Sequence, residues 1–153
     1  MVGQPFVDGI RGVAWYQGES NTGQWKTYHT LFPVLISSWR KQWGIGDFPF
    51  LYVQLAPFGL ATSRPQESTW ANLREAQLLT LSRCKNTAMA VITDVGDEHD
   101  IHPRKKAVVG ERLGMAAEAL AYGVQKINAG PVFDKMEMRG RKVYLSLDRK
   151  SVV

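Results

Sequence analysis

Three short runs of almost uninterrupted apolar residues, "IRGVAWY" over 10–16, "FLYVQLA" over 50–56 and "TAMAVIT" over 87–93, punctuate the first two-thirds of the chain. Each is followed by polar residues and then by a segment whose apolar side chains recur at spacings of three and four. Runs this short and this apolar read as strands covered on both faces, whereas a 3.6-residue period reads as a helix with one inward face. Strand and helix in alternation imply a crossover between neighbouring strands, so the sheet that results is parallel and flanked by helices. In such a sheet the loops leaving the carboxyl ends of the strands gather at one edge, which is where sites form.

The first helical segment carries Trp25, Tyr28, Leu31, Leu35, Trp39 and Trp43 on one face, with Gly44 and Gly46 to stop it. Pro33 is expected to kink this helix or to mark its effective start. Ser68 or Thr69 caps a second helix that runs to about Ser82 and turns Leu73, Ala76 and Leu79 inward. A third runs from about Arg104 to Tyr122, with Val109, Leu113, Ala116 and Leu120 inward and Gly123 at its end. Beyond Gly123 the pattern changes: residues 126–141 are mixed around a Gly130-Pro131 turn signal, and residues 142–147 alternate as an antiparallel strand does. The expected division is an α/β part over residues 1–125, followed over 126–153 by a linker and the start of a β-rich module.

A chain of 153 residues that is 44% hydrophobic and 22% charged has the composition of an ordinary globular domain. Its longest apolar runs fall far short of the ~20 residues that cross a bilayer, and Met1 is not followed by a basic segment and an apolar core, so no membrane partner is expected. The net charge of +5 is carried late, by Arg104, Lys105, Lys106, Arg112, Lys135, Arg139, Arg141, Lys142, Arg149 and Lys150. Without an aromatic-rich RNA signature these read as solvated faces, and no nucleic-acid partner is expected. Cys84 is the single cysteine, which excludes an internal disulfide. Oligomeric state leaves no signature.

Two polar clusters follow strands. The first holds Gln17, Glu19, Ser20 and Asn21, an amide, carboxylate and hydroxyl set suited to acid–base work and oxyanion stabilisation. Gly18-Glu19-Ser20-Asn21-Thr22 misses the nucleophile-elbow pattern G-x-S-x-G only at its last position. A polar turn in which Ser20 and Asn21 cap the next helix is the plainer alternative. The second cluster holds Asp94, Asp97, Glu98, His99, Asp100 and His102, with Pro103 fixing the backbone after it. A histidine with a carboxylate nearby is what an oriented general base requires. Metal binding is the rival reading, which no EF-hand or H-E-x-x-H spacing supports.

The segments "GIRGVAWYQGESN", "PFLYVQLAP", "LREAQ", "DVGDEHDIHPRKKAVVGERL" and "AYG", in this order, resemble the sialic acid-specific 9-O-acetylesterase family, a group of SGNH-type carbohydrate esterases also similar to certain acetylxylan esterases. The resemblance spans about residues 7–147. It implies a three-layer α/β hydrolase that removes acetyl groups from sugar hydroxyls by serine-type acyl transfer, acting on a small-molecule or oligosaccharide acetyl ester without cofactor or metal. By family, a secreted or periplasmic location is implied. The family's nucleophilic serine lies in an early motif just after the first strand, ahead of the segment resembling QGESN. The chain is therefore expected to be incomplete on its N-terminal side, to lack that serine and to be inactive alone, and Ser20 is not expected to be the nucleophile. His102 of D-I-H-P matches the general base. The wider pattern is D-x-x-H, yet His99 stands three residues before His102, so the orienting acid is left among Asp100, ranked first, Glu19, ranked second, and Asp97. Gln17 matches the donor to the oxyanion, with Gly18 permitting close approach and Asn21 as a further polar contact. The alternatives are a sugar-binding module that keeps the pocket without the serine, and a small complete hydrolase that uses Ser20.

Overall fold

The computed structural model describes residues 9–124 and 130–148. Within them lie β1 (Val13–Trp15), a 3₁₀ turn (Glu19–Gln24), α1 (Trp25–Trp43), β2 (Phe50–Val53), α2 (Thr69–Arg83), β3 (Thr87–Ala90), α3 (Lys106–Tyr122), β4 (Phe133–Arg139) and β5 (Lys142–Leu147). The first three strands form a parallel sheet in the order β1-β2-β3, with Val13 beside Phe50 and Phe50 beside Thr87. The mixed α/β architecture expected from the alternating pattern is present. The expected boundary at residues 125 and 126, and residues 149–153, lie outside the described residues.

Alternate side chains of β2 separate the core into two layers. Phe50 and Tyr52 pack with Tyr28, Phe32 and Ile36 of α1 and with Leu73 and Ala76 of α2. Val53 belongs instead to a second cluster with Ile92, Val95 and Val109 of α3. Helices α1 and α2 therefore cover one face and α3 the other. Two crossovers on the same face, advancing the sheet in one direction, are what right-handed connections require. Strand β1 pairs only with β2 among the described strands, and its Ala14 is exposed.

The strands are shorter than the apolar runs suggested. The Gln54 N–H makes the last bond to β3, to the Ala90 carbonyl at 2.9 Å, and Leu55 and Ala56 beyond it stay buried, which explains why burial pattern overstates pairing. Helix α1 is rotated from the expected face: Tyr28, Phe32, Ile36 and Arg40, four apart, are buried, while Leu31 is 55% exposed. Leu79 of α2 is likewise outward, and Gln77 and Thr80 take the buried positions with Leu73 and Ala76. The tryptophans drew the expected face because their bulk reaches the core from its flank, as in the edge-to-face contact of Trp39 with Trp15. Pro33 lies inside α1 rather than at its start. Proline leaves the carbonyl four residues earlier without its helical donor, and that carbonyl, on His29, accepts instead from Arg83 Nη1 of α2 at 2.6 Å.

Capping follows the sequence signals. Ser68 accepts from the Ala71 N–H at 3.2 Å at the start of α2, and Gly44 and Gly123 close α1 and α3 in the left-handed conformation. Helix α3 starts at Lys106 rather than Arg104. At its far end Arg11 donates to the Ala121 carbonyl at 3.1 Å, so α3 runs antiparallel to the strands and its first turn lies at their carboxyl edge. The hairpin β4–β5 was half expected: β5 occupies the predicted strand, while the register shift between Phe133 and Lys135 hides the alternation of β4.

Arg40 closes the opposite edge of the sheet. Buried to 8% exposure, it donates to the Phe48 carbonyl at 2.7 Å and to the Asn86 carbonyl at 3.0 Å, joining the entries of β2 and β3. Arg40→Met removes these charged donors and leaves two carbonyls with weaker partners. It is expected to lower unfolding free energy by about 2–3 kcal/mol, read from the urea midpoint.

Candidate active site

The exit of β1 turns sharply. Gly18 adopts φ +150°, and a Cβ there would stand 2.8 Å from Leu73 Cδ2 and 3.3 Å from Gln77 Nε2, so only glycine fits between the strand end and α2. Glu19 to Gln24 then coil into the 3₁₀ turn, with the Asn21 N–H bonded to the Gly18 carbonyl at 2.8 Å. Neither Ser20 nor Asn21 caps the following helix through its side chain. Gln17 Nε2 donates to Asn21 Oδ1 at 2.5 Å, and the buried Tyr28 hydroxyl lies 3.4 Å from Gln17 Oε1.

The exit of β3 runs on through residues 91–105 to α3. Arg112 of α3 grips the beginning of this loop, donating to the Val91 carbonyl at 2.7 Å and to both carboxylate oxygens of Asp94, at 2.5 and 2.7 Å. This bidentate pair holds the Asp94 carboxyl at about 2. Gly96 presses on Pro57, where a Cβ would meet the Pro57 carbonyl at 2.5 Å, so the loop also abuts the exit of β2.

Two consecutive Asp-x-His turns follow. Asp97 Oδ1 accepts from the His99 N–H and Asp100 Oδ1 from the His102 N–H, each at 2.8 Å. The rings then part. His99 Nε2 turns to Glu98 at 3.3 Å, whereas His102 Nδ1 turns to Asp100 Oδ1 at 3.3 Å. The His102 backbone N–H is the main influence holding the Asp100 carboxyl below the usual range; desolvation opposes it, and the His102 ring and Arg104 reinforce it. A proton on Nδ1 would face Asp100 and leave the lone pair on Nε2.

The two loops meet in a cleft of about 360 Å³ lined by Tyr16, Glu19, Ser20, Ile101, His102 and Lys106. Of the residues singled out from sequence, Glu19 and His102 line it directly, and Asp100 lies behind His102. Gln17, Gly18 and Asn21 belong to the adjoining turn. Ser20, which the resemblance sets aside as nucleophile, is exposed on the cleft wall. A larger hollow of about 590 Å³ lies at the opposite edge, around Arg40, Lys41 and Lys85, away from these groups. Tyr16 and Lys106 were not singled out. The Lys106 ammonium sits 5.0 Å from the centre of the Tyr16 ring, and burial, aided by Glu19, pushes the Tyr16 hydroxyl up to about 12. Gln77 was quoted only within LREAQ, although a glutamine on an apolar helix stripe is itself a signal of a buried polar tie. No three His, Cys, Asp or Glu side chains gather to hold a metal among the described residues, and no helix there is long and apolar enough to cross a membrane.

A model of the carbohydrate esterase family of sialic acid-specific acetylesterases matches residues 3–120. The chain belongs to this family. It is 34% identical to the sialate O-acetylesterases of Rattus norvegicus and Homo sapiens, over 90% of its length and 28% and 29% of theirs. A carbohydrate acetylesterase from Xanthomonas citri, known from its crystal structure, shares the fold at a TM-score of 0.84 and 41% identity, across 92% of this chain and 32% of that one. The chain thus spans less than a third of the length of these esterases.

In this esterase-family chain the Asp94–Arg112 pair anchors the loop that carries His102. A carboxyl held below the ordinary ~3.9 of aspartate in the folded state adds stability that is present above that value and lost as pH falls towards about 2. Acid titration followed by the His102 ring resonances is expected to show the loop loosening between pH 4 and 2. In Asp94→Asn the anchor is weakened at every pH and that step is missing.

Proposed function

We propose that this chain carries the base and the oxyanion donor of a carbohydrate O-acetylesterase, acting on acetylated sugar hydroxyls with the sialate type as the first candidate. The reading rests on one observation: His102 lines a cleft with its Nδ1 held 3.3 Å from Asp100, beside the turn that carries Gln17 and Glu19. Family membership supports the reaction class, and the helix–sheet–helix layering is consistent with an SGNH-type hydrolase.

His102 Nε2 removes the proton from a serine hydroxyl as that oxygen attacks the acetyl carbonyl. Asp100 holds the ring and balances the imidazolium that forms. The Gln17 amide donates to the carbonyl oxygen as it becomes negative. The imidazolium then protonates the departing sugar oxygen, and water repeats the sequence to release acetate and regenerate the serine. In this proposal the serine comes from outside these residues, as the resemblance implies, and Glu19 is a polar wall of the cleft and the second choice as orienting acid.

Ser20 supports a second reading, because it shares the cleft with His102. Among the described residues, however, no hydrogen bond joins its hydroxyl to the imidazole. The experiment uses a chain extended to the length of the relatives and follows p-nitrophenyl acetate hydrolysis. His102→Ala is expected to lower kcat by ~10² or more, since a general base contributes about that much. Ser20→Ala is expected to retain most of the rate. A Ser20→Ala enzyme as inactive as His102→Ala would make Ser20 the nucleophile, and ligand binding without turnover in the unaltered chain would favour a sugar-binding module.

A further inference from the structure

The Gln17 carbonyl, at the exit of β1, is held from two helices at once. Gln77 Nε2 of α2 donates to it at 3.3 Å, and the Tyr28 hydroxyl of α1 at 3.4 Å. The same hydroxyl stands 3.4 Å from Gln17 Oε1, while Gln17 Nε2 donates to Asn21 Oδ1 at 2.5 Å. A side-chain amide has two ends of similar shape and opposite polarity. The one Tyr28 proton is shared between the Gln17 carbonyl and Oε1, and with Asn21 Oδ1 accepting from the nitrogen this favours the orientation seen. The second N–H of that nitrogen has no partner among the described residues and remains for a ligand.

Gln77 is an unusual occupant of its position. It is 1% exposed on the stripe that also buries Leu73, Ala76 and Thr80, where an apolar residue of its volume would avoid the cost of burying an amide. Its side chain ties strand exits together, Nε2 donating to the carbonyls of Gln17 and Val53, both at 3.3 Å, and Oε1 accepting from the Leu55 N–H at 2.9 Å, and the amide also faces the Tyr28 hydroxyl. It also forms part of the wall that leaves Gly18 no room for a Cβ. Tyr28 is 5% exposed, and burial pushes its hydroxyl up to about 12, so it stays a donor throughout the neutral range.

We propose that Gln77 and Tyr28 are positioning residues for the cleft: together they fix the backbone and the amide orientation of Gln17, and with it an N–H that this turn can present to a ligand oxygen. The consequence for catalysis rests on the oxyanion role proposed for Gln17, whereas the positioning does not.

Two measurements separate them. In this chain, the Gln17 side-chain NH₂ pair is followed by ¹H–¹⁵N spectroscopy in Tyr28→Phe and Gln77→Met, each checked for folding by its thermal midpoint. Both variants are expected to shift the pair and speed its hydrogen exchange. Tyr28→Phe keeps the core volume and carries the test if Gln77→Met does not fold. A Gln17 amide unchanged in a folded variant of either kind overturns the proposal. In the chain extended to the relatives' length, either variant is expected to lower kcat about 10-fold, the scale of a misplaced group, with KM within about twofold. Neither should lower it further in a Gln17→Ala background. Equal losses with and without Gln17 would show a general structural role and overturn it too. A disturbed Gln17 amide together with a fully active Gln17→Ala enzyme would sustain the positioning and reject the oxyanion assignment.

Discussion

Parallel pairing is the constraint from which the rest of this molecule follows. Strands β1, β2 and β3 can lie side by side in one direction only if a helix carries the chain back between them, and each return places the next strand's exit at the same edge. The loops after β1 and β3 are separated by some seventy residues of sequence, yet they share that edge because β2 stands between them with both faces buried. The requirement that β2 be covered twice also divides labour among the helices. Helices α1 and α2 hold the turn after β1 from beneath, and α3, from the other face, holds the loop that carries His102.

Rigidity at the cleft is supplied by polar groups rather than by packing alone. The β1 exit is fixed by buried amide and phenol donors, the β3 exit by the forked contact of Arg112 with Asp94, and the Asp-x-His turns by carboxylates that bond the backbone two residues on. Such bonds are directional, so they specify where a side chain points as apolar contacts do not. An exposed imidazole such as that of His102, which is 77% exposed, is oriented chiefly by its own neighbour Asp100.

What was legible in the sequence was what periodicity and motif encode. The strand–helix alternation, the Ser68 cap, the glycine stops and the placing of two polar clusters at strand exits could all be read from residue type and spacing. The face of α1 could not, because Trp25, Trp39 and Trp43 resemble core residues by composition while Phe32 and Ile36 occupy the centre. The orienting acid was left among Asp100, Glu19 and Asp97 because residue type does not encode side-chain torsions: Asp97 and Asp100 both bond a histidine backbone two residues on, yet the His102 ring turns to Asp100 and the His99 ring to Glu98. Lys106 reaches the cleft only because α3 starts there, at a boundary that propensity leaves uncertain by a residue or two.

Pro33 and Arg83 illustrate how the fold binds distant positions into a shared history. The carbonyl of His29 has lost its helical donor to the proline ring and recovered one from a guanidinium fifty-four positions later. Each residue alters the meaning of a change at the other: losing Arg83 leaves an open carbonyl while Pro33 is present, whereas in a chain with an ordinary residue at 33 the helix would close that bond itself. The two sites are therefore conditionally neutral. Paths through sequence space that first restore an N–H at position 33 remove the need for a donor at 83, and paths taken in the reverse order leave the His29 carbonyl to water.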